Sequence, residues 1–170
     1  SRHGLKVHMD GARFANALVH LGCVPADISW RAGIDVLSFG ASKNGAMAAE
    51  AVVFFDESLS REFAFRRKRS GHLFSKMRLI SSQLAAYLEQ GLWLDNARHA
   101  NQMARRLVAG LTPLKGVQLL YPVDANEIFA VLPHAMNDAL EEAGALYHPW
   151  PSDRPGEDRK STRLNSSHVS

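Results

Sequence analysis

Cysteine and long apolar runs are nearly absent from this chain of 170 residues, and its formal net charge is only +3. The single cysteine, Cys23, excludes an internal disulfide and is typical of proteins from a reducing compartment. A helix needs roughly 20 predominantly apolar residues to cross a membrane, and no run in the sequence comes near that length. We therefore expect a cytoplasmic protein with no membrane partner.

The small excess of positive charge lies partly in two short runs, "RRKRS" at 66–70 and "DRKSTR" at 158–163. Segments that bind nucleic acid combine such charge with stacking aromatic residues or a recognisable motif, and neither run does. Short charge runs are instead typical of solvated helix ends and polar tails. His20, His72 and His99 also lack the spacing to acids or cysteine that metal ligands show. We expect neither a nucleic-acid partner nor a metal site.

The periodicity of apolar residues predicts strands and helices in an order that suggests two domains. The predicted strands span 5–9, 35–39, 51–55, 117–123, 127–132 and 145–150, and four predicted helices span 12–22, 75–94, 96–111 and 134–144. A further helix is predicted from an N-cap at Asp56 or Ser58 through Glu62 to about Arg69. Short apolar strands near the start favour a buried, partly parallel sheet. The order therefore predicts an α/β fold, in which the last part of an α/β domain leads into a smaller α+β domain.

Composition sets the predicted boundaries of these parts. We assign 1–74 to the end of the larger domain, 75–112 to long connecting helices and 113–151 to a truncated α+β domain. The last stretch, 152–170, has only two apolar side chains, too few to offset the entropy that ordering costs. We expect this tail to be disordered or non-native, and the natural chain to be cut near 151–157.

Charged side chains follow two of the predicted strands. In "HMDGAR", Asp10 ends the first strand and Arg13 begins a helix, while "SFGASKNG" places Lys43 after the next strand. Ligands of open α/β sheets collect at the carboxyl ends of the strands. An unprotonated amine can form an imine with a carbonyl compound, and a carboxylate can hold the protonated ring nitrogen that makes pyridoxal an electron sink. The pattern favours a paired site at one sheet edge.

Each of these residues also has a simpler interpretation when taken alone. Asp10 and the glycine after it are typical of a turn, Lys43 could be a solvated loop lysine, and Arg13 could lie on a helix face in water. His8 alternates with Met9 in the strand, which predicts a packed, hydrogen-bonded residue rather than a catalyst. Spacing alone leaves these alternatives open.

Longer motifs indicate a family. "HMDGAR", "SFGASKNGAMAAEAVVFF" and "FRRKRSGHLFSKMRLISSQ", in this order, resemble the low-specificity L-threonine aldolases. These enzymes belong to the aromatic amino acid β-eliminating lyase and threonine aldolase family of fold-type I pyridoxal phosphate (PLP) enzymes. The resemblance runs from about Leu5 to Trp150. It implies the C-terminal part of the PLP-binding large domain, followed by a small C-terminal α+β domain.

The resemblance also implies a role for five residues. Lys43 is the catalytic lysine that forms a Schiff base with PLP, and Ser42 precedes it in the cofactor site. Asp10 pairs with the pyridine nitrogen. Arg13 lies by the cofactor's 3-oxygen and the substrate carboxylate. Lys68 is near the cofactor phosphate at a subunit interface.

The implied activity is that of a PLP-dependent aldehyde-lyase. Such an enzyme cleaves the Cα–Cβ bond of β-hydroxy amino acids, converting L-threonine or L-allo-threonine to glycine and acetaldehyde, and we expect it to be a homodimer or homotetramer. The family's N-terminal half, which supplies the phosphate cradle, is missing from this sequence, so we expect the fragment alone to be inactive. Two alternatives stay open: another PLP-dependent β-eliminating lyase or aminotransferase of the same fold, or an inactive fragment that acts only as an interaction piece.

Overall fold

The computed structural model describes residues 3–73, 75–150 and 160–165, with the side chains of 149, 150 and 160–165 left undescribed. The strands are β1 (His8–Gly11), β2 (Val36–Gly40), β3 (Glu50–Phe54), β4 (Gln118–Leu119), β5 (Glu127–Leu132), β6 (His148–Trp150) and β7 (Lys160–Asn165). The helices are α1 (Phe14–Leu21), α2 (Phe63–Arg69), α3 (Arg78–Leu88), α4 (Leu92–Leu111) and α5 (His134–Glu142). Single 3₁₀ turns lie at Trp30–Ala32, Ser42–Asn44, Glu57–Leu59 and Glu89–Gly91. No helix among the described residues is long and apolar enough to cross a membrane.

The chain divides into two compact units, Ser1–Ala97 and Arg98–Ser170. The first unit contains a three-stranded sheet in the order β1-β2-β3. β1 and β2 run parallel, and β2 and β3 run antiparallel. In this register Asp10 is opposite Ser38, and Gly40 is opposite Glu50. Because side chains alternate along a strand, these four residues lie on the sheet face opposite to Leu37.

The other face of this sheet carries the core of the first unit. Phe39 lies at its centre, with its ring centroid 6.0 Å from that of Phe14 in α1. The ring centroids of Tyr87 in α3 and Trp93 in α4 lie 6.0 and 5.9 Å from that of Phe39. Tilted and edge-to-face contacts are the favoured arrangement of aromatic rings. This cluster fixes three helices close to the carboxyl end of β2.

The helix predicted over 12–22 forms α1 and ends where the sequence indicates. Gly22 has φ 63° and its N–H donates to the carbonyl of Leu18 at 3.0 Å, the left-handed ending that glycine favours. The helix predicted over 75–94 is wrong at its end, because Gln90 and Gly91 adopt φ of 53° and 79° and break it. Leu92 therefore begins α4 instead of continuing the apolar stripe of α3.

The second unit contains a four-stranded sheet in the order β4-β5-β7-β6, in which neighbouring strands are antiparallel. Ile128, Ala130 and Leu132 of β5 pack with Ala104 of α4 in its core. The strand predicted over 127–132 matches β5, whereas the one predicted over 117–123 is reduced to β4, two residues long. Backbone pairing with β5 is thus confined to a short part of the apolar segment.

Strand β7 falls within the stretch 152–170, for which the sequence predicts a disordered or non-native tail. β7 pairs with β5 over six positions and with β6 over three. The sequence pattern does not indicate this strand. A strand held by main-chain hydrogen bonds needs no run of apolar side chains. Residues 152–159 and 166–170 lie outside the described residues. The predicted boundaries at 74, 112 and 151 stay predictions.

Candidate active site

The carboxyl ends of β1 and β2 meet at one edge of the sheet, because the two strands are parallel. The turn after β1 also contacts the end of β2 directly. A Cβ atom built on Gly40 would lie 2.9 Å from the Cα of Ala12 and 3.3 Å from its carbonyl oxygen. Only a residue without a side chain permits this approach. The structure therefore brings the turn with Asp10 and Arg13 beside the loop that carries Ser42 and Lys43.

Asp10 is exposed at the end of β1 and its side chain is held by the main chain. Its Oδ1 accepts a hydrogen bond of 3.0 Å from the N–H of Ala12, which is the geometry of an Asx turn. The end of β1 also lies close to β2: a Cβ on Gly11 would lie 2.7 Å from the carbonyl oxygen of Ser38. The carboxylate therefore has a defined position at the strand end.

Arg13 is half-buried and precedes the first residue of α1. Its φ of −126° lies outside the helical range, while its carbonyl accepts a hydrogen bond of 3.1 Å from the N–H of Ala17. Arg13 is thus fixed between β1 and α1. Its guanidinium belongs to the same strand-to-helix turn as the Asp10 carboxylate.

Lys43 lies exposed in the 3₁₀ turn Ser42–Asn44, inside a loop that joins β2 to β3. The N–H of Ala41 donates to the carbonyl of Ala49 at 3.1 Å. The Ser42 hydroxyl accepts from the N–H of Ala49 at 3.2 Å and lies 3.4 Å from its carbonyl oxygen. The loop is therefore closed at its base, where the Ser42 hydroxyl bonds the main chain. Its predicted cofactor-binding role stays a prediction.

Asn44 is buried, unlike the lysine before it. Its Nδ2 donates to the hydroxyl of Tyr87 at 2.5 Å and to the carbonyl of Trp93 at 2.8 Å, and its own carbonyl accepts from Nδ2 of Asn96 at 2.9 Å. Burial raises the pKa of Tyr87 above its ordinary value, while the bond from Asn44 opposes this rise. Asn44 was not predicted from the sequence, although a polar residue in a loop of small residues was a signal for it.

Gln83 of α3 fixes the other half of the loop. Its Oε1 accepts from the N–H groups of Met47 and Ala48 at 3.0 and 3.2 Å. This residue was not predicted from the sequence either, because nothing in a helical pattern indicates which glutamine reaches a distant loop. The loop that joins β2 to β3 (residues 41–49), which carries Lys43 and is called the lysine loop below, is thus anchored on both sides.

Glu50 adds a second carboxylate to this edge of the sheet. Its Oε1 lies 3.4 Å from the N–H of Ser42 in a hydrogen bond, and a Cβ on Gly40 would lie 2.9 Å from its Oε2. Sequence reasoning missed Glu50. The available signal was that residues 38–55 contain one lysine and one acidic residue.

His8 lies on the same sheet face as Asp10, two residues earlier in β1. Its Nε2 is 2.8 Å from the hydroxyl oxygen of Ser38, so the expected hydrogen bond is present. The expected packing is wrong, because His8 is exposed while Met9 packs against the core. Alternation along the strand gives the buried face to Met9 alone.

Lys68 lies exposed in α2, away from the start of the lysine loop. The first residue of α2, Phe63, stacks edge-to-face on Phe54 with ring centroids 5.0 Å apart. Phe54 is opposite Val36 at the amino end of β2. Helix α2 therefore begins at the sheet edge opposite to that of Lys43, and none of the contacts described joins Lys68 to the other candidate residues.

Three charged residues join the strands at that opposite edge. Lys6 Nζ lies 2.8 Å from Asp56 Oδ2 and 3.3 Å from Asp35 Oδ1. Hydrogen bonds from Lys6 and Ser58 lower the pKa of Asp56 to about 2. The bond from the N–H of Val7 is the main cause that lowers the pKa of Asp35. This cluster connects strand ends and is far from the lysine loop in the sheet.

The residues at the carboxyl edge suit a pyridoxal-type cofactor. Lys43 contributes a primary amine, which can react with an aldehyde. Asp10 contributes a carboxylate for a cationic ring nitrogen, and Arg13 contributes a guanidinium for an anionic group. Because Gly40 has no side chain, the turn after β1 can lie directly against the end of β2. Among the described residues no group of His, Cys, Asp and Glu could hold a metal ion.

The chain is similar in sequence to known enzymes. A family model described as "Beta-eliminating lyase" matches residues 1–135. The low specificity L-threonine aldolase of Pseudomonas sp. (strain NCIMB 10558) is 46% identical over 147 residues, which is 86% of this chain and 42% of that protein. The low-specificity L-threonine aldolase 1 of Arabidopsis thaliana is 30% identical over 129 residues, 75% of this chain and 35% of that protein. The chain thus spans less than half the length of these relatives.

The fold is also similar to solved structures. The threonine aldolase of Leishmania major superposes with a TM-score of 0.84 at 29% identity, covering 96% of this chain and 47% of that one. A Listeria monocytogenes protein superposes with a TM-score of 0.67 at 17% identity, which shows the fold alone. The predicted α/β fold of a fold-type I enzyme fragment is confirmed, and so is the resemblance to threonine aldolases. By the match of its first 135 residues, the chain belongs to the beta-eliminating lyase family.

Proposed function

We propose that the complete polypeptide containing this chain is a PLP-dependent aldehyde-lyase that cleaves L-threonine and L-allo-threonine. The observation that carries the proposal is the contact between the two strand-end turns, which brings the segments of Asp10 and Lys43 to one edge. The substrate class is supported by the relatives that are named low specificity L-threonine aldolases. In the proposed reaction the Cα–Cβ bond breaks, the hydroxyl-bearing carbon leaves as acetaldehyde, and protonation of the α-carbon gives glycine.

The residues of this chain would hold the cofactor from several sides. Lys43 would bind its aldehyde carbon through Nζ, with Ser42 beside it, and Lys68, which is far from Lys43 in the same chain, is a candidate for the phosphate at a subunit interface. When bound, PLP supplies a ring that withdraws electrons from the α-carbon of the substrate. Asp10 would keep the proton on the ring nitrogen, since a carboxylate held by the N–H of Ala12 places a fixed negative charge there. Arg13 would orient the substrate through its carboxylate.

The proposal is tested by the products that the complete polypeptide forms from L-threonine. We expect equal amounts of glycine and acetaldehyde from the wild type, and none from a Lys43→Ala variant. Lys115→Ala is the matched control, because Lys115 is an exposed lysine of the second unit. Normal cleavage by Lys43→Ala would overturn the assignment of the lysine.

A β-eliminating lyase of the same fold is the second candidate, favoured by the description of the matched family model. Elimination from L-serine releases pyruvate and ammonia, whereas cleavage of L-threonine releases an aldehyde. Pyruvate formation without acetaldehyde would favour this candidate over the first. Aminotransfer would instead require a keto acid as second substrate.

We also infer that the complete polypeptide is a cytoplasmic homodimer or homotetramer, as the resemblance to threonine aldolases suggests. Analytical ultracentrifugation measures the assembly. A monomer at micromolar concentration would contradict this part of the proposal.

A further inference from the structure

Asn44 differs from Lys43 in its surroundings although the two residues are adjacent. The side chain of Lys43 is exposed, whereas Asn44 is only 6% exposed. Of these two neighbours in one 3₁₀ turn, Lys43 therefore faces solvent and Asn44 lies in the interior. Contacts that fix Asn44 also fix the main chain of Lys43, because the two residues are joined by a peptide bond.

The side chain of Asn44 uses both hydrogens of its amide. One hydrogen bond goes to the Tyr87 hydroxyl and the other to the Trp93 carbonyl, so the two donors of the group reach α3 and α4. The main chain of the same residue is held as well. Its N–H donates to the Ala41 carbonyl at 3.0 Å, and its carbonyl accepts from Asn96. Four hydrogen bonds thus converge on the residue that follows Lys43.

The partners of Asn44 are themselves held rigidly. Tyr87 is 3% exposed, and its ring contacts Phe39 and Trp93. Gly45, the next residue, has φ 113°, and a Cβ there would lie 2.5 Å from Nδ2 of Asn96, so the chain passes close to α4. The aromatic core of the first unit is therefore connected through one amide group to the lysine loop.

We propose that Asn44 is a positioning residue that sets where Lys43 Nζ emerges at the sheet edge. The inference rests on the proposed function, since it takes Lys43 as the residue that bonds the cofactor. Tyr87 and the Trp93 carbonyl hold the amide, and the amide holds the lysine backbone. A displaced lysine would still be an amine in water, but it would meet the bound aldehyde in the wrong geometry, and misplacement of this kind costs roughly tenfold to a hundredfold in rate.

The test measures how fast Lys43 bonds PLP in the complete polypeptide. Cofactor-free protein is mixed with PLP, reduced with borohydride at set times and digested, and mass spectrometry gives the labelled fraction of Lys43. Asn44→Asp keeps the shape but cannot donate to the Trp93 carbonyl. We expect roughly tenfold slower labelling with Asn44→Asp and a smaller loss with Tyr87→Phe, which leaves the Trp93 bond in place.

A matched control separates positioning from a general loss of stability. Asn137 in the second unit is also buried and accepts a hydrogen bond of 3.1 Å from the Tyr147 hydroxyl. Asn137→Asp therefore introduces the same buried carboxyl group in a comparable asparagine–tyrosine pair. Because an oxygen that accepts from Tyr147 remains, we expect Asn137→Asp to lower the unfolding temperature through the buried carboxyl group while leaving the labelling rate of Lys43 unchanged.

Three results would overturn the inference. These are wild-type labelling rates in both Asn44→Asp and Tyr87→Phe, an equal slowing by Asn137→Asp, or slowing that merely follows the unfolded fraction. If Asn44→Asp does not fold, Tyr87→Phe decides, because it removes one oxygen and keeps the ring packing. Absence of Lys43 labelling in the wild type would contradict the proposed function itself. Normal wild-type labelling with unchanged variants would contradict only the role of Asn44.

Discussion

At the scale of single residues, a main-chain N–H holds the carboxylate of Asp10, and hydrogen bonds of neighbouring residues fix the loop that carries Lys43. The N–H of Ala12 orients Asp10, and the loop around Lys43 is closed by Ser42 and Ala49. Glycine at position 40 allows the two turns to touch. The site thus depends on small residues and main-chain bonds as much as on its charged groups.

Replacement of Asp10 by Asn is expected to keep cofactor binding and to reduce turnover. The neutral amide cannot stabilise a proton on the ring nitrogen, and loss of such a preorganised interaction costs about 100-fold or more in kcat. Steady-state kinetics on L-threonine measure the loss, and borohydride labelling of Lys43 measures binding. Asp27→Asn, which removes an exposed ion pair with Arg31 at a carboxylate that also accepts from the N–H of Val24, is the control. A near-normal kcat for Asp10→Asn would contradict the role of Asp10.

Replacement of Gly40 by Ala is expected to destabilise the protein and disturb the site together. The new methyl group would meet the Cα of Ala12 at 2.9 Å, and overpacking of this kind costs about 1–3 kcal/mol in free energy of unfolding. Denaturant unfolding measures the change. Gly110→Ala in α4, where a Cβ meets nothing within 4 Å, should instead stabilise by about 0.5–1 kcal/mol. Equal stability of the two variants would contradict the close approach.

At the scale of elements, local pattern predicts some boundaries and tertiary contacts set the others. α1 ends at Leu21, before the glycine that the sequence marks as its stop, and β5 spans 127–132 as the sequence predicts. Gly91 gives a similar signal between α3 and α4, but the apolar stripe continues past it, and only the folded chain reveals the positive φ of Gln90. β7 likewise depends on pairing with β5.

The candidate site likewise combines residues that the sequence indicates with residues that only the folded chain reveals. Asp10 and Lys43 are recognisable because charged residues directly follow apolar strands, and the sheet then brings their turns together. The side-chain nitrogen of Asn44 and the side-chain oxygen of Gln83 bond partners 35 or more positions away, which no local pattern indicates. The charges of a site can thus be predicted from sequence more easily than the residues that hold them.

Asp56, at the sheet edge opposite to that of Lys43, has a lowered pKa, so part of the free energy of unfolding should be lost in acid. Asp56 has a pKa of about 2 in the folded chain against an ordinary value of 3.8, so its contribution is fully present above pH 3.8. It is lost as the pH falls toward 2. We expect the urea midpoint to fall over this range, and less steeply in Lys6→Met. Part of the slope should remain, because Ser58 still bonds Asp56.

A control is needed for the general loss of a positive charge. Arg31→Met removes the cation of another exposed pair, with Asp27 at 2.9 Å. An identical pH dependence in wild type and Lys6→Met would contradict the proposed coupling between Lys6 and the carboxylates.

At the scale of the whole molecule, the chain spans 42% of its Pseudomonas relative. The residues described here would supply the lysine, the ring-nitrogen partner and a carboxylate-binding arginine. We propose, from the resemblance to threonine aldolases, that the phosphate cradle lies in a part of the family sequence outside these 170 residues. We therefore expect the 170-residue chain alone to form no glycine from L-threonine, while the complete polypeptide does. Turnover by the isolated chain would contradict this division of the site.

The central claim is that Lys43 is the amine that bonds the cofactor, and the position of the reduced adduct tests it most directly. The complete polypeptide is treated with PLP and borohydride, and its peptides are mapped by mass spectrometry. We predict a single phosphopyridoxyl group on Lys43, which disappears in Lys43→Ala and persists in Lys115→Ala. An adduct on another lysine in the wild type, or an unchanged adduct in Lys43→Ala, would contradict the account.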